Sequence, residues 1–192
     1  MSPATAPVGT PSRPTPFHLV VPGPLDQRTG GYLYDGRRVA ELGRAGRPVA
    51  ADPVAGAHLR PELDAELAGI PDGDVVVVDG LAFGAAPNVA ARHADRLRLV
   101  ALVHHPLSHE TGLTDEERRH LEGAEAEALR HARGIIVTSP YTARRLADFG
   151  VSADRVRVVR PGTETGPMAE GPAPSEPAKM VCVGTVTPRK GF

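Results

Sequence analysis

Residues 134–150 read GIIVTSPYTARRLADFG, and this stretch decides the fold. The run Gly134–Thr138 is rich in β-branched residues and has no polar alternation, which is typical of a strand buried on both faces. Ser139 is a favoured helix N-cap, Pro140 is favoured at the first helical position, and Gly150 is suited to ending the helix. A buried strand that leads directly into a helix is the repeating unit of a parallel sheet covered by helices.

The same alternation of apolar runs and helical patterns extends towards both ends of the chain. Further strands are predicted at Phe17–Val21, Pro48–Ala51, Asp74–Val78, Arg98–Val103 and Arg155–Val159. One helix is predicted from Tyr32 to Ala45, and another begins at a capping box formed by Thr114 and Glu117. The first of these helices is expected to bury the stripe Leu33, Val39, Ala40 and Leu42. We therefore expect residues 17–162 to form one α/β domain with a doubly wound, parallel, Rossmann-like sheet.

The composition changes on both sides of this domain. Residues 1–16 lack the apolar centre of a signal peptide and are expected to be a disordered leader. Residues 163–178 are rich in Pro, Gly and Glu, and are expected to be an interdomain linker. Residues 179–192 are expected to begin a second, incomplete domain with a seventh strand at Lys179–Val183, in which Cys182 is buried. The sequence thus predicts a truncated piece of a longer protein.

The overall composition excludes several classes of function. A net charge of −1 gives no bulk attraction to nucleic acid or to anionic membranes. A single cysteine excludes an internal disulfide framework and a cysteine-based metal cluster. No run approaches the roughly 20 apolar residues of a membrane-spanning helix. We expect a cytoplasmic protein, and the preference for Arg over Lys with abundant Ala, Gly and Pro is typical of a GC-rich bacterial genome.

Candidate site residues follow from the predicted topology, because ligands of an open parallel sheet bind at the carboxyl ends of its strands. The residues expected at that rim are Gly30, Gly31, Tyr32, Asp79, His104, His105 and Ser139. Gly30 and Gly31 open a helix whose backbone N–H groups suit a phosphate, although the pair also fits a plain turn. His104 and His105 can bind sugar hydroxyls or phosphate near neutral pH, or can merely cap the strand.

Other chemistries fit the sequence less well. The spacing HHxxxH, which His109 completes, matches no standard zinc ligand set, so no metal site is expected. The dinucleotide fingerprint GxGxxG is absent, and the loop 22–31 is too long for its tight turn, although Asp52 lies at a suitable distance for a ribose-binding acid. The acidic residues of the helix after Thr114, Glu125 among them, are expected on a solvated, ion-paired face.

Five motifs occur in an order that carries a resemblance. They are Gly30-Gly31-Tyr32 at the start of a helix, LVALVHHP at 99–106, IIVTSPYTARRLADFGV at 135–151, VRVVRPGTE at 156–164 and VCVGTVTPRKG at 181–191. Together they resemble the N-terminal half of family-4-type, retaining glycosyltransferases of the GT-B fold. The resemblance covers residues 17–190, and its last two motifs are the most specific because they span the junction between the two domains of that family.

The resemblance implies a pair of Rossmann-like domains that face each other across a cleft. The N-terminal domain would bind the acceptor, and the C-terminal domain would bind the nucleotide-diphosphate sugar. No metal or other cofactor is implied, since protein cations and backbone amides hold the leaving diphosphate. Lys190 would contact that diphosphate, with Gly30 and Gly31 approaching it from the opposite domain. His104 would lie beside the transferred sugar, with His105 as the second choice for the catalytic histidine.

The sequence also departs from the family pattern. Gly184-Thr185 stands where many members have Gly-Arg, and Arg189 is the substitute expected at the phosphate. The region of the family's donor-binding domain in which two glutamates, spaced Glu-x7-Glu, grip sugar and ribose is not in this chain, so transfer by this chain alone is not expected. The expected partners are a nucleotide-sugar donor and a small-molecule, glycan or lipid acceptor, without nucleic acid. The residues expected on the acceptor side of the cleft are Tyr32, Asp79 and Ser139.

Two other functions stay open from the sequence. One is a stand-alone Rossmann-like ligand-binding module, and the other is an NAD(P)-dependent oxidoreductase or an epimerase-like protein. A following domain of about 150 to 200 residues with helix-borne glutamates would favour sugar transfer. Tight binding of NAD(P) by this domain alone would favour the oxidoreductase.

Overall fold

The computed structural model of the protein describes residues 17–45, 49–53, 59–162, 165–168, 170–172, 177, 180–184 and 186. Within these residues six parallel strands form one sheet in the order β2-β1-β3-β4-β5-β6. They are β1 (Phe17–Val21), β2 (Val49–Pro53), β3 (Val75–Asp79), β4 (Arg98–Val103), β5 (Gly134–Val137) and β6 (Val156–Val158). The predicted doubly wound, parallel α/β architecture is confirmed.

The strand order reverses beside β1, and this reversal positions the site. The chain passes from β1 to β2 on one side and then crosses to β3 on the other, so that Leu19 has Ala51 and Val77 as its two neighbours in register. A sheet of this kind leaves a crevice above the carboxyl ends of the strands at the reversal. The crevice therefore lies over the ends of β1 and β3, with the end of β4 directly beside it.

Six α-helices connect the described strands. They are α1 (Gly30–Arg44), α2 (Leu59–Gly69), α3 (Gly80–Gly84), α4 (Pro87–His93), α5 (Asp115–Arg130) and α6 (Pro140–Arg145). The capping box of Thr114 and Glu117 is present at the start of α5, and Ser139 caps α6 with Pro140 at its first position, as the sequence predicts. Gly150 ends the 3-10 turn after α6 with a φ of 71°, a conformation that glycine adopts without strain.

The apolar side chains form one cluster on each face of the sheet. Successive residues of β1 point to opposite faces, so Val20 joins the larger cluster while Leu19 and Val21 join the smaller one. Leu67 of α2 belongs to the larger cluster, and Tyr34 of α1 covers the smaller one. Right-handed crossover connections explain this division. The chain moves from β1 to β2 in one direction across the sheet and from β1 to β3 and onward in the opposite direction. The helix α1, which follows β1, therefore packs on the face opposite to that covered by the later helices.

The element bounds differ from the prediction where capping decides them. β1 and β4 have the predicted bounds, whereas α1 begins at Gly30 instead of Tyr32 because Thr29 is its N-cap. The short helices α3 and α4, and α2 before them, were not predicted. The predicted buried stripe of α1 is wrong at Leu33 and Ala40, which are exposed, since the helix turns Tyr34 and Asp35 towards the protein instead.

The predicted seventh strand is not formed in residues 180–183, which adopt no regular structure. No described strand lies beside them to share backbone hydrogen bonds, and Met180, Val181 and Val183 are exposed. Cys182 is exposed as well, so the prediction that it is buried is wrong.

The predicted leader, residues 1–16, lies outside the described residues. No helix among the described residues is long and apolar enough to span a membrane.

Replacing Leu67 by alanine should lower the free energy of unfolding by about 2 to 5 kcal/mol, because the truncation opens a cavity in the larger cluster. Leu67 is 0% exposed. Leu33→Ala is the matched control, since it is also in a helix but half exposed, and it should change the free energy by less than about 0.5 kcal/mol. Urea denaturation followed by circular dichroism measures both. Equal losses in the two variants would contradict the placement of the core.

Candidate functional site

A cavity of about 830 Å³ lies at the carboxyl ends of the strands. Its lining includes Gly30 and Gly31 from the start of α1, Asp79 from the end of β3, His104 directly after β4, and Thr138 directly after β5. These residues are far apart in sequence and meet because parallel strands end at the same edge of the sheet. The structure therefore gathers the loops of the predicted rim around one space.

The remaining predicted site residues divide into three groups. Tyr32 and His105 also line the cavity. Ser139 is not among its lining residues, and its hydroxyl accepts a hydrogen bond of 3.0 Å from the backbone N–H of Thr142, which caps α6. Arg189 and Lys190 lie outside the described residues.

His104 contacts two buried carboxylates. Its Nε2 lies 3.2 Å from Oδ1 of Asp35 and 3.4 Å from Oδ2 of Asp79. The side chains of Asp35 and Asp79 are 1% and 4% exposed, and that of His104 is 23% exposed. The ring of Tyr34 packs edge-on against the imidazole with 5.3 Å between the ring centroids. Because desolvation disfavours an isolated buried charge, the two carboxylates depend on His104 as their partner.

This contact sets the charge of His104. Burial lowers its pKa, but the hydrogen bonds and the negative charges of Asp35 and Asp79 outweigh burial and raise the pKa to about 9. Burial raises the pKa of Asp35, and the hydrogen bond from His104 lowers it in part. His104 is therefore an imidazolium at neutral pH, and its Nε2–H is donated to the carboxylates.

The other ring nitrogen of His104 is available to a ligand. Among the described residues no group hydrogen-bonds its Nδ1. A Cβ atom at Gly31 would lie 3.5 Å from Cδ2 and 3.7 Å from Nε2 of His104, so glycine leaves room beside that edge of the ring. A protonated His104, which lines the cavity, thus keeps one N–H donor that no described residue occupies.

The start of α1 offers two further donors. The backbone N–H of Tyr32 is satisfied by the Thr29 hydroxyl at 3.5 Å, and that of Leu33 by the Thr29 carbonyl at 3.0 Å. In the described part of the chain no acceptor faces the N–H of Gly30 or Gly31, and nothing lies within 4 Å of a Cβ placed at Gly30. Free amides at a helix N-terminus, with open space before them, suit an anionic oxygen.

Tyr32 is a neutral hydroxyl at the same edge. Burial and the charge of Asp79 raise its pKa, while a hydrogen bond with Gln27 lowers it in part. The ring lies against Gly23, where a Cβ would be 3.0 Å from the Tyr32 hydroxyl and 2.8 Å from the Gln27 amide nitrogen. A side chain at Gly23 would therefore displace Tyr32 or Gln27 from the loop before α1.

Asp79 joins the sheet to the site with both carboxylate oxygens. Oδ1 accepts a hydrogen bond of 2.8 Å from the backbone N–H of Leu81 and so caps α3, while Oδ2 faces His104. The next residue must be small, because a Cβ at Gly80 would lie 3.2 Å from the carbonyl oxygen of Leu102 in β4. This close approach of α3 to β4 brings Asp79 within reach of His104.

A buried glutamate fixes the loop that follows His104. Glu125 of α5 is 2% exposed, so the prediction that it lies on a solvated face is wrong. Its carboxylate accepts hydrogen bonds from the backbone N–H groups of Leu107 at 2.9 Å and Ser108 at 3.3 Å. Burial raises the pKa of Glu125, and these hydrogen bonds lower it in part. The side chain is turned inward because the loop amides need an acceptor.

Two groups of side chains bear on metal binding. In the HHxxxH segment, Nε2 of His109 lies 3.5 Å from the guanidinium of Arg145, and this cation opposes a metal ion. Asp35, Asp79 and His104 do offer ligand atoms within 4.8 Å of one another. The Nε2–H of His104 already compensates both carboxylates there, so a metal ion would have to displace that proton.

Sequence reasoning missed Asp35 and Tyr34. The signal was present, since Asp35 lies one helical turn after Gly31 and therefore on the same face of α1 as the predicted phosphate contact. The apolar stripe through Leu33 pointed to a different face of the helix, and an aspartate is seldom expected inside.

Replacing His104 by glutamine should remove part of the pH dependence of stability. Its folded pKa of about 9 exceeds the unfolded value of about 6.5. The stabilisation is therefore complete below about pH 6.5 and is lost as the pH rises through 9. Between these values the wild type should lose about 1 to 3 kcal/mol more than His104→Gln in urea denaturation. His120→Gln, an exposed position on α5, should keep the wild-type pH dependence. Parallel pH profiles for wild type and His104→Gln would refute the ion pair.

Replacing Glu125 by alanine should destabilise the protein by about 2 kcal/mol or more, because two backbone N–H groups lose their acceptor. Glu125→Gln keeps one acceptor oxygen and should cost less. Glu116→Ala, an exposed position on the same helix, should change stability by less than about 0.5 kcal/mol. Thermal unfolding at pH 7 compares the three variants, and a Glu125→Ala protein as stable as Glu116→Ala would rule out the proposed support of the loop.

Comparison with protein families matches residues 10–166 to Glycosyltransferase Family 4. No curated protein matches the chain. The matched residues run from before β1 to beyond β6 and include His104 with both of its carboxylate partners. Because the match covers most of the chain, the protein belongs to Glycosyltransferase Family 4, and the described domain is the N-terminal, Rossmann-like domain of that family.

Proposed function

We propose that this domain provides the acceptor side, and one wall of the donor site, of a retaining glycosyltransferase. The reaction would move a sugar from a nucleotide-diphosphate donor to a small-molecule, glycan or lipid acceptor. One observation carries the proposal: Gly30 and Gly31, whose amides have no acceptor among the described residues, line the same cavity as a protonated His104. Membership of the glycosyltransferase family supports it.

These donors match the charge that develops during sugar transfer. As the bond between the sugar and the diphosphate breaks, negative charge grows on the leaving phosphate oxygen. Fixed N–H groups and a cation stabilise that charge best where water is excluded and no reorganisation is needed. The first turn of α1 supplies its helix dipole as well as two amides. Lys190 and Arg189 would add cations from outside the described residues, so the proposal needs no metal ion.

The site favours a route without a protein base at the reacting carbon. His104 is already protonated, and Asp35 and Asp79 are buried and paired with it. In the proposed route the acceptor hydroxyl attacks the face from which the diphosphate departs. Its oxygen bonds to the sugar carbon, the bond from that carbon to the phosphate oxygen breaks, and the hydroxyl proton passes to a phosphate oxygen. The configuration is retained and no covalent sugar–enzyme intermediate forms.

A second Rossmann-like domain is part of the proposal. Met180, Val181 and Val183 are 98%, 84% and 92% exposed. Such exposure is unusual for three large apolar residues within four positions of a folded protein. A following domain that binds the nucleotide would bury them as its first strand. In this proposal the described domain supplies only one wall of the donor site, so it would not transfer sugar by itself.

Inorganic pyrophosphate should bind this chain weakly, with a Kd of about 1 mM, because half of the donor site is present. NMR should show the largest chemical-shift changes at the backbone N–H groups of Gly30 and Gly31 and at the side-chain ring of His104. His104→Gln should weaken binding several-fold, whereas His120→Gln should not. Sodium chloride at the same ionic strength serves as the control for general screening.

Two results would contradict the proposed function. One is a pyrophosphate response confined to exposed arginines of α1, such as Arg37 and Arg44, with none at Gly30 and Gly31. The other is tight binding of NADH in calorimetry, with a Kd below about 10 μM, which would support the oxidoreductase instead.

A further inference from the structure

The buried face of α1 contradicts the ordinary preferences of its residues. Of the 15 residues of α1, Tyr34 and Asp35 are the buried ones. Asp35 is 1% exposed, whereas Leu33 two positions earlier is 49% exposed. A surface helix normally buries its leucine and exposes its aspartate. Such an inversion weakens the fold locally, and inversions of this kind are concentrated at functional sites.

We propose that Asp35 is a positioning residue for His104: it accepts Nε2–H, so that Nδ1–H is the donor left for a ligand in the cavity. The inference rests on the proposed function, because it assigns the donated N–H to the phosphate or sugar of a nucleotide-diphosphate sugar.

The contacts of Asp35 point to this role and to no other. Among the described residues Asp35 hydrogen-bonds His104 and no further group. Asp79, by contrast, also caps α3 through the N–H of Leu81, so its position is set by the backbone whether or not His104 is present. A buried, charged carboxylate with a single partner affects the stability of the fold mainly through that partner. For Asp35 this partner is His104.

The surroundings of the ring allow one orientation. A half-turn about the Cβ–Cγ bond of His104 would replace Nε2 by Cε1 opposite the carboxylates. Asp35 would then lose its donor among the described residues, and Asp79 would keep only the N–H of Leu81. The ring of Tyr34 stands at 84° to the imidazole and fixes its plane. With Nε2 held, Nδ1 is the ring nitrogen that can meet a ligand.

The same arrangement keeps the ring protonated over the working pH range. Among the described residues, the charged or titratable groups in contact with His104 are Asp35 and Tyr34 from α1 and Asp79 from β3. Two negative charges against one imidazolium leave the cluster at −1, so loss of the proton would leave two buried carboxylates uncompensated. A neutral ring with its proton on Nε2 would turn Nδ1 from a donor into an acceptor, and it would then repel a phosphate oxygen.

Asp35→Asn tests the role because asparagine keeps the shape and one acceptor oxygen but removes the charge. NMR of the 192-residue chain with labelled histidine should show the His104 titration midpoint at least about one pH unit below that of the wild type. At pH 8 the variant should bind inorganic pyrophosphate several-fold more weakly than the wild type. At pH 6, where the ring is protonated again, most of the affinity should return. A merely structural role for Asp35 predicts no such rescue by acid.

Asp26→Asn is the control, since it makes the same change in net charge at an exposed position of the loop before α1. It should leave the His104 midpoint unchanged. An unchanged midpoint in Asp35→Asn, or a loss of pyrophosphate binding that is equal at pH 6 and pH 8, would overturn the inference. If the variant does not fold, the wild type still decides, because a neutral His104 ring at pH 7 would overturn it too. A shifted midpoint without any pyrophosphate binding by the wild type would support the positioning role and defeat the proposed function instead.

Discussion

The ion pair between His104 and two buried aspartates is the interaction on which the rest of the site depends. It joins three separate parts of the chain, namely α1 through Asp35, the end of β3 through Asp79, and the end of β4 through His104 itself. Each charge would be costly alone, since desolvation of an uncompensated ion exceeds what packing returns. Together they hold α1 against the carboxyl ends of β3 and β4, where these elements border the cavity.

The topology of the sheet explains why these segments can meet. The reversal at β1 places α1 on its own face, and the helix then has to be held at both sides. One side carries Asp35 against His104. On the other side Tyr34 donates its hydroxyl to the carbonyl of Val159 at 3.1 Å, and Arg38 donates to the carbonyl of Arg160 at the same distance. The helix that borders the cavity is thus attached to the segment by which the chain leaves the domain.

The sequence was sufficient for the fold but for only part of the site. Continuous Val and Ile runs located the strands because a buried parallel strand has few alternatives, and Thr114 and Ser139 located two helix starts because capping is a local interaction. Asp35 and Glu125 were not found, because both are polar residues on helices whose buried face is chosen by distant loops. Asp35 is turned inward by a histidine 69 positions away, and Glu125 by amides 18 and 17 positions away. Patterns of neighbouring residues in the sequence carry no information about partners so far away along the chain.

The charge state of His104 restricts the chemistry more than its position does. A histidine at the end of a buried strand is often read as a general base, yet a base must be neutral before it acts. Here the carboxylates that orient the ring also keep its proton, so orientation and protonation cannot be separated. The ring is then a fixed cation, set in a cleft of a protein whose net charge is −1, and such a cation attracts anionic oxygens. In the proposed function this cation and two helix amides would stabilise a leaving diphosphate, and the proton of the incoming hydroxyl would pass to an acceptor on the substrate.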